Sequence, residues 1–235
     1  MNKKIFGVLI AAIFVISVVV VFPKTAVADS DTEKVTFIHY KDGTVKIGGG
    51  EKQAKQVICY KLMGVKWTTT PVSYVINPMN PQNMSPDFVT YAISTSAETC
   101  DYATSTELFN NEYTVDWEAQ YGVRDYNNAI VFGAYPNNGV IAVTSIWYNK
   151  RTKQITEFDI LFNTYFTWGD AEYDPYVMDL QNIATHELGH GVGLNDIYNS
   201  ACSTVTMYGY STEGETQKRT LEQPDVTGLQ KMYGV

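Results

Sequence analysis

The sequence predicts an α+β fold, one twisted sheet with helices packed on it. Two observations carry this. Strand-like and helix-like segments follow in the order strand, helix, several strands, helix, irregular stretch, helix, with no internal repeat. The composition, 45% apolar and 13% aromatic over 235 residues, can build the core of one ordinary domain with extensions and argues against disorder.

The elements follow from local signals. Residues 29–65 read as an N-terminal extension or short propeptide. Within it VTFIHY and TVKIGG flank Lys41-Asp42-Gly43, which predicts a hairpin turning at Asp-Gly. Gly48-Gly49-Gly50 and the polar EKQAKQ behind it read as a linker. From Trp67 the pattern becomes regular. PVSYVIN (71–77) alternates as a strand does. Ser85-Pro86-Asp87 is a helix start, serine at the N-cap and proline in the first turn, and the helix is expected to reach Ser105. EYTVDW, AIVFGAY and GVIAVTSIWYN are β-rich, and the last joins ITEFDILFN through the polar tip NKRTKQ as a hairpin. GVIAVTSIWYN is also a strand onto which an extended substrate could add. A loop rich in Tyr, Trp and Asp precedes a second helix starting near Asp179. LEQPDVTGLQKMYG reads as a third, with Pro224 in its first turn and Leu221, Val226, Leu229 and Met232 as apolar contacts.

Lys3 and Lys4 precede an uncharged, largely apolar run from Ile5 to Phe22, and Ala26-Val27-Ala28 supplies small residues where cleavage would fall. Residues 1–28 therefore read as a signal peptide. The alternative is an uncleaved anchor, because the run is long enough to cross a bilayer. Either way the remainder is exported, secreted or held on the outer face of the membrane by this segment. Cleavage would leave 14 basic against 25 acidic residues, a net charge of −11. Such a surface repels nucleic acid and anionic lipid, and neither is an expected partner. Acidic groups also suit calcium, but no EF-hand-like run supports a calcium site.

Export permits a disulfide, and three cysteines leave one over. Cys100 shares a helix face with Val89, Ile93 and Ala97 and reads as a core thiol. Cys59–Cys202 is then the preferred bridge, although spacing alone leaves other pairings, or none, open.

HELGHGVGLND, His186 to Asp196, carries the chemistry. Residues four apart share a helix face, so His186 and His190 can offer ring nitrogens to one ion. Glu187 projects beside that ion and can reach a water there without ligating. Zinc suits two imidazoles and a carboxylate with one open position. Gly193 is placed to end the helix in a left-handed turn, and the reversal brings Asp196 back as third ligand.

The pattern H-E-x-x-H-x-x-G-x-x-D resembles that of the metzincin zinc peptidases, in the variant with aspartate for the third histidine found in small bacterial secreted proteases of the snapalysin type. Met207-Tyr208 in STVTMYGY resembles the superfamily's Met-turn, and LEQPDVTGLQKMYG the last helix of matrixins. TEFDILFN is similar to the matrixin strand before the active-site segment. The resemblance covers residues 66–235. It implies a metzincin or zincin-like catalytic domain with a twisted mixed sheet, an active-site helix and a C-terminal helix. It further implies one catalytic Zn2+ on His186, His190 and Asp196, Glu187 as general base, and Gly193, Met207 and Tyr208 as structural residues near the site. The implied activity is an exported zinc endopeptidase, a monomer acting on protein or peptide substrates through a zinc-activated water. The alternative is a zinc-binding extracellular protein of the same fold that does not cleave. There are departures. No cysteine-switch motif precedes the domain, and no hemopexin-like repeat follows. The only other histidine is His39, so a second, structural zinc held by histidines is not expected.

Overall fold

The computed structural model describes residues 31–43 and 57–235. Nine strands and three α-helices are formed among them. The strands are β1 (Thr32–Lys41), β2 (Val75–Ile76), β3 (Thr114–Val115), β4 (Ala129–Gly133), β5 (Val140–Asn149), β6 (Ile155–Asn163), β7 (Trp168–Gly169), β8 (Met178–Asp179) and β9 (Tyr210–Ser211). The helices are α1 (Pro86–Asp101), α2 (Leu180–Gly191) and α3 (Gln223–Tyr233). Seven strands make one mixed sheet in the order β3-β2-β4-β6-β5-β1-β9, while β7 and β8 pair separately. The β3, β2, β4 and β6 pairings are parallel, β5 is antiparallel to both β6 and β1, and β1 is parallel to β9. The α+β class read from the sequence is the class observed.

The core lies between this sheet and α1 and α2. From α1 come Val89, Ile93, Ala97 and Cys100, the stripe expected from the sequence. From α2 come Ile183, Ala184 and Leu188, and the sheet answers with Ile76, Ile130, Ile141, Phe158, Ile160 and Phe162. Side chains of this size contribute about 1.5–3 kcal/mol each when taken fully out of water. The two helices approach closely because small residues meet at their crossing. Ser96 Oγ donates to the Gln181 carbonyl at 3.0 Å and accepts from Thr185 Oγ1 at 3.0 Å.

Helix starts follow the expected chemistry. Ser85 caps α1 by accepting from Phe88 N at 3.2 Å, and Asp179 caps α2 by accepting from Asn182 N at 2.8 Å. In α3 the Asp225 carboxylate accepts from Glu222 N at 3.2 Å. The helix predicted to reach Ser105 stops at Asp101 instead. There the Asp101 carboxylate turns the chain by accepting from Leu108 N at 2.6 Å and Phe109 N at 3.1 Å.

One strand expectation changes. PVSYVIN contributes only Val75 and Ile76 to the sheet. VTFIHY forms a strand as expected, paired with β5 and β9, and TVKIGG, the other arm of the expected hairpin, lies outside the described residues. None of the helices among the described residues is long and apolar enough to cross a membrane.

Candidate metal centre

Helix α2 supplies two of the three converging groups, and the chain just beyond it the third. Its last carbonyls, which no further turn of helix can satisfy, are held by side chains. Trp67 Nε1 donates to Gly191 O at 2.8 Å, and Tyr233 Oη to Val192 O at 2.9 Å. Gly193 then takes φ of +100°, a left-handed conformation that disfavours any side chain, and a Cβ there would lie 2.6 Å from the Val65 carbonyl oxygen. This turn carries the chain back so that Asp196 Oδ1 sits 3.3 Å from His186 Nε2 and 3.4 Å from His190 Nε2. The two Nε2 atoms are 3.1 Å apart.

The tautomers are set from behind. His186 Nδ1 donates to Thr206 O at 2.7 Å and His190 Nδ1 to Leu194 O at 3.0 Å, which leaves each Nε2 lone pair facing inward in the neutral ring. Asp196 Oδ1 is buried and has no hydrogen-bond partner of good geometry. Tyr198 Oη donates to the other oxygen, Oδ2, at 3.1 Å. Three electron-rich atoms therefore face one another with no donor between them. A tetrahedral zinc with ligands at about 2.0–2.1 Å needs ligand atoms about 3.3–3.4 Å apart. The donor set and its spacing fit that ion. Burial alone would raise the Asp196 carboxyl, but the imidazoles of His190 and His186 outweigh it and hold the group well below the carboxylate range. Burial would likewise lower His190, but Asp196 and Glu187 reverse it and raise this imidazole.

The residues expected to shape the site lie around it. Met207 is buried beneath α2, and Gly189 allows the approach, since a Cβ there would meet Met207 Sδ at 2.5 Å. The Asp225 carboxylate pins this turn by accepting from Thr206 N at 2.8 Å and Met207 N at 3.3 Å. Cys59 and Cys202 are joined, tying residues next to α2 to the segment between Asp196 and Met207, while Cys100 is a free buried thiol. Tyr208 packs its ring against Tyr210, and the tyrosine on the ligand set is Tyr198.

Glu187 is buried and both its oxygens are engaged. Oε2 accepts from Thr144 Oγ1 at 2.5 Å, and Oε1 lies 3.0 Å from His39 Nδ1. Burial raises its carboxyl above the ordinary range, against the pull of the two α2 histidines and Thr144. Burial pushes the His39 imidazole well below its usual value, with His186 and Lys218 acting in the same direction. The neutral ring then donates from Nδ1 to Glu187 and accepts at Nε2 from Ser211 Oγ, 3.0 Å away. Ser211 in turn accepts from the buried Lys218 ammonium at 2.5 Å, and Lys218 pairs with Glu215 at 2.7 Å. Sequence reading did not find Thr144, Tyr198, Ser211, Lys218 or Asp225. Only His39 left a signal, as the one histidine outside the motif.

A sheet with parallel strands and one antiparallel strand, a helix carrying two imidazoles and a carboxylate, and a methionine turn beneath it define a fold of the zincin kind. A sequence profile of the matrixin family matches residues 66–234. The chain belongs to the matrixin family. It is 26% identical over 190 residues to matrix metalloproteinase-16 of Rattus norvegicus, covering 74% of this chain and 28% of that protein. It is likewise 26% identical over 183 residues to matrix metalloproteinase-16 of Homo sapiens, with the same shares. The chain thus spans under a third of the length of these relatives.

Proposed function

We propose that this chain is an exported zinc endopeptidase, with residues 66–235 as its catalytic domain and 1–28 as its export signal. The observation that carries the reading is the convergence of His186, His190 and the orphaned Asp196 oxygen beside a buried glutamate. Zinc held there would polarise the scissile carbonyl and acidify a neighbouring water. The carbonyls of Thr206 and Leu194 hold the two imidazoles in the ligating tautomer. Glu187 takes the proton of the attacking water and passes it to the departing amine. Burial suits the carboxyl to this role by bringing its proton affinity closer to that of a base working near neutrality. Thr144 holds one carboxylate oxygen and so aims the other. The Cys59–Cys202 bond fits an oxidising compartment and supports export. The matrixin family supports protein or peptide substrates, and the chain acts as a monomer.

The test compares the chain with its Glu187→Ala variant, each intact and after a cut introduced between residues 43 and 57. Zinc content and casein hydrolysis are measured. One zinc per chain is expected in both proteins, with hydrolysis by the cut chain falling about 10²–10⁴-fold in the variant. Unchanged hydrolysis would remove Glu187 as the base. A chain that binds zinc and never cleaves would be the non-catalytic relative.

A further inference from the structure

Strand β1 is bound by the sheet in a way that concerns the site more than the core. Of its ten residues only Phe37 and His39 are buried, and both land on the metal centre. Phe37 stacks on His190, ring centroids 4.1 Å apart and planes 10° from parallel. His39 lies 3.9 Å from the His186 ring and bonds Glu187. The backbone of β1 is laddered on both sides, antiparallel to β5 from Thr32↔Asn149 to Tyr40↔Val140 and parallel to β9 at Tyr40↔Tyr210. Asp42 N donates to Ser211 O at 2.9 Å beyond its end. Without β1, β5 would be an open sheet edge facing β9 across a gap one strand wide. That gap crosses above His186, Glu187 and His190, so it is the groove in which an extended peptide must lie to present its backbone to Glu187.

Resting on the peptidase reading above, we propose that β1 is an inhibitory strand. It fills the peptide groove, and His39 occupies the oxygen of Glu187 that would take a proton from water, so hydrolysis requires release of β1. Release has a simple covalent condition. No cysteine occurs before Cys59, so a cut between Gly43 and Val57 leaves β1 held by non-covalent contacts alone. While tethered, a strand has an effective concentration of about millimolar, and an affinity of about 10 µM in trans would then give about a hundredfold block.

The experiment uses the full chain, zinc-loaded, with a recognition sequence for a site-specific protease placed in residues 44–56. Casein hydrolysis is followed before and after the cut. Binding of a fluorescent peptide spanning Asp31–Gly43 to the cut chain is read separately by anisotropy. The expected result is about a hundredfold rise in hydrolysis on cutting, reversed by added peptide. A peptide carrying His39→Ala should bind about tenfold more weakly, as for one buried hydrogen bond lost. Equal hydrolysis before and after the cut overturns the proposal and leaves the peptidase reading intact. A cut chain that loses its cooperative thermal transition makes β1 a structural strand and also overturns it. If both forms are inert and the cut chain still takes up the peptide, the groove stands but the peptidase reading fails, and latency fails with it. Absence of peptide binding overturns the strand's role whatever the hydrolysis shows.

Discussion

Gly193 shows how much a single residue decides. Its φ of +100° lies where an L side chain is strained, and its missing Cβ makes room for the Val65 carbonyl oxygen. Gly193→Ala should therefore cost about 3 kcal/mol, the sum of a left-handed penalty and a backbone clash. A fall in the urea midpoint at unchanged slope checks this. A second consequence is specific to the site: relaxing the turn moves Asp196, so zinc content at limiting zinc should fall, whereas an equally destabilising core change such as Ile183→Ala should leave zinc in place. The spacing of His186, His190, Gly193 and Asp196 was legible in the sequence because helical periodicity and one turn fix all four locally. Thr144 and His39 were not, since they meet Glu187 from 43 and 148 residues away and no local pattern encodes such a meeting.

The same limit applies to elements. The alternation in VTFIHY says strand, with Phe37 and His39 on one face, but a period of two names no partner, so the pairing with β5 was not legible in the sequence. β6 hides its polar design for a related reason. Glu157 and Asp159 break an apolar strand in sequence, yet both are buried because they face the loop between β3 and β4. Glu157 accepts from Asp125 N and Tyr126 N, and Asp159 from Gly122 N at 2.7 Å and Ala129 N at 3.1 Å. Burial pushes the Asp159 carboxyl up to about 7 despite those two donors. Between its ordinary value of 3.8 and about 7, the folded chain then holds a proton that the unfolded chain has lost. Stability from this group is accordingly full below that window and declines as pH rises through it, by a few kcal/mol at most. Urea midpoints between pH 4.5 and 7.5 should slope downward. Asp159→Asn, which cannot ionise and turns one acceptor into a donor, should lower the curve near pH 5 and flatten it.

For the whole molecule, the question is whether the metal centre and the covalent frame act independently. Cys59 and Cys202 are 143 residues apart in sequence, so their bond closes a long loop, and its loss should cost about 2–5 kcal/mol. For a domain of this size that is a fall in Tm of roughly 5–15 °C. The bond also sits where the site is assembled. The residues after Cys59 run beside the end of α2, with Met63 N donating to Gly193 O and Asn195 N to Lys61 O, while Cys202 lies between Asp196 and Met207. The bridge therefore restrains both sides of the turn that delivers Asp196, and removing it should weaken zinc as well as the fold. Zinc bound only by the folded chain stabilises by an amount that rises with the ratio of free ion to dissociation constant. Chelation should thus lower Tm in the parent chain by a clear margin, and by less in Cys59→Ser/Cys202→Ser, whose site holds the ion less tightly to begin with. Calorimetry of the two proteins with and without chelator measures this difference directly. Equal shifts would mean that the bridge stabilises the chain without organising the turn, and that Gly193 and the carbonyl contacts behind the two imidazoles position Asp196 unaided.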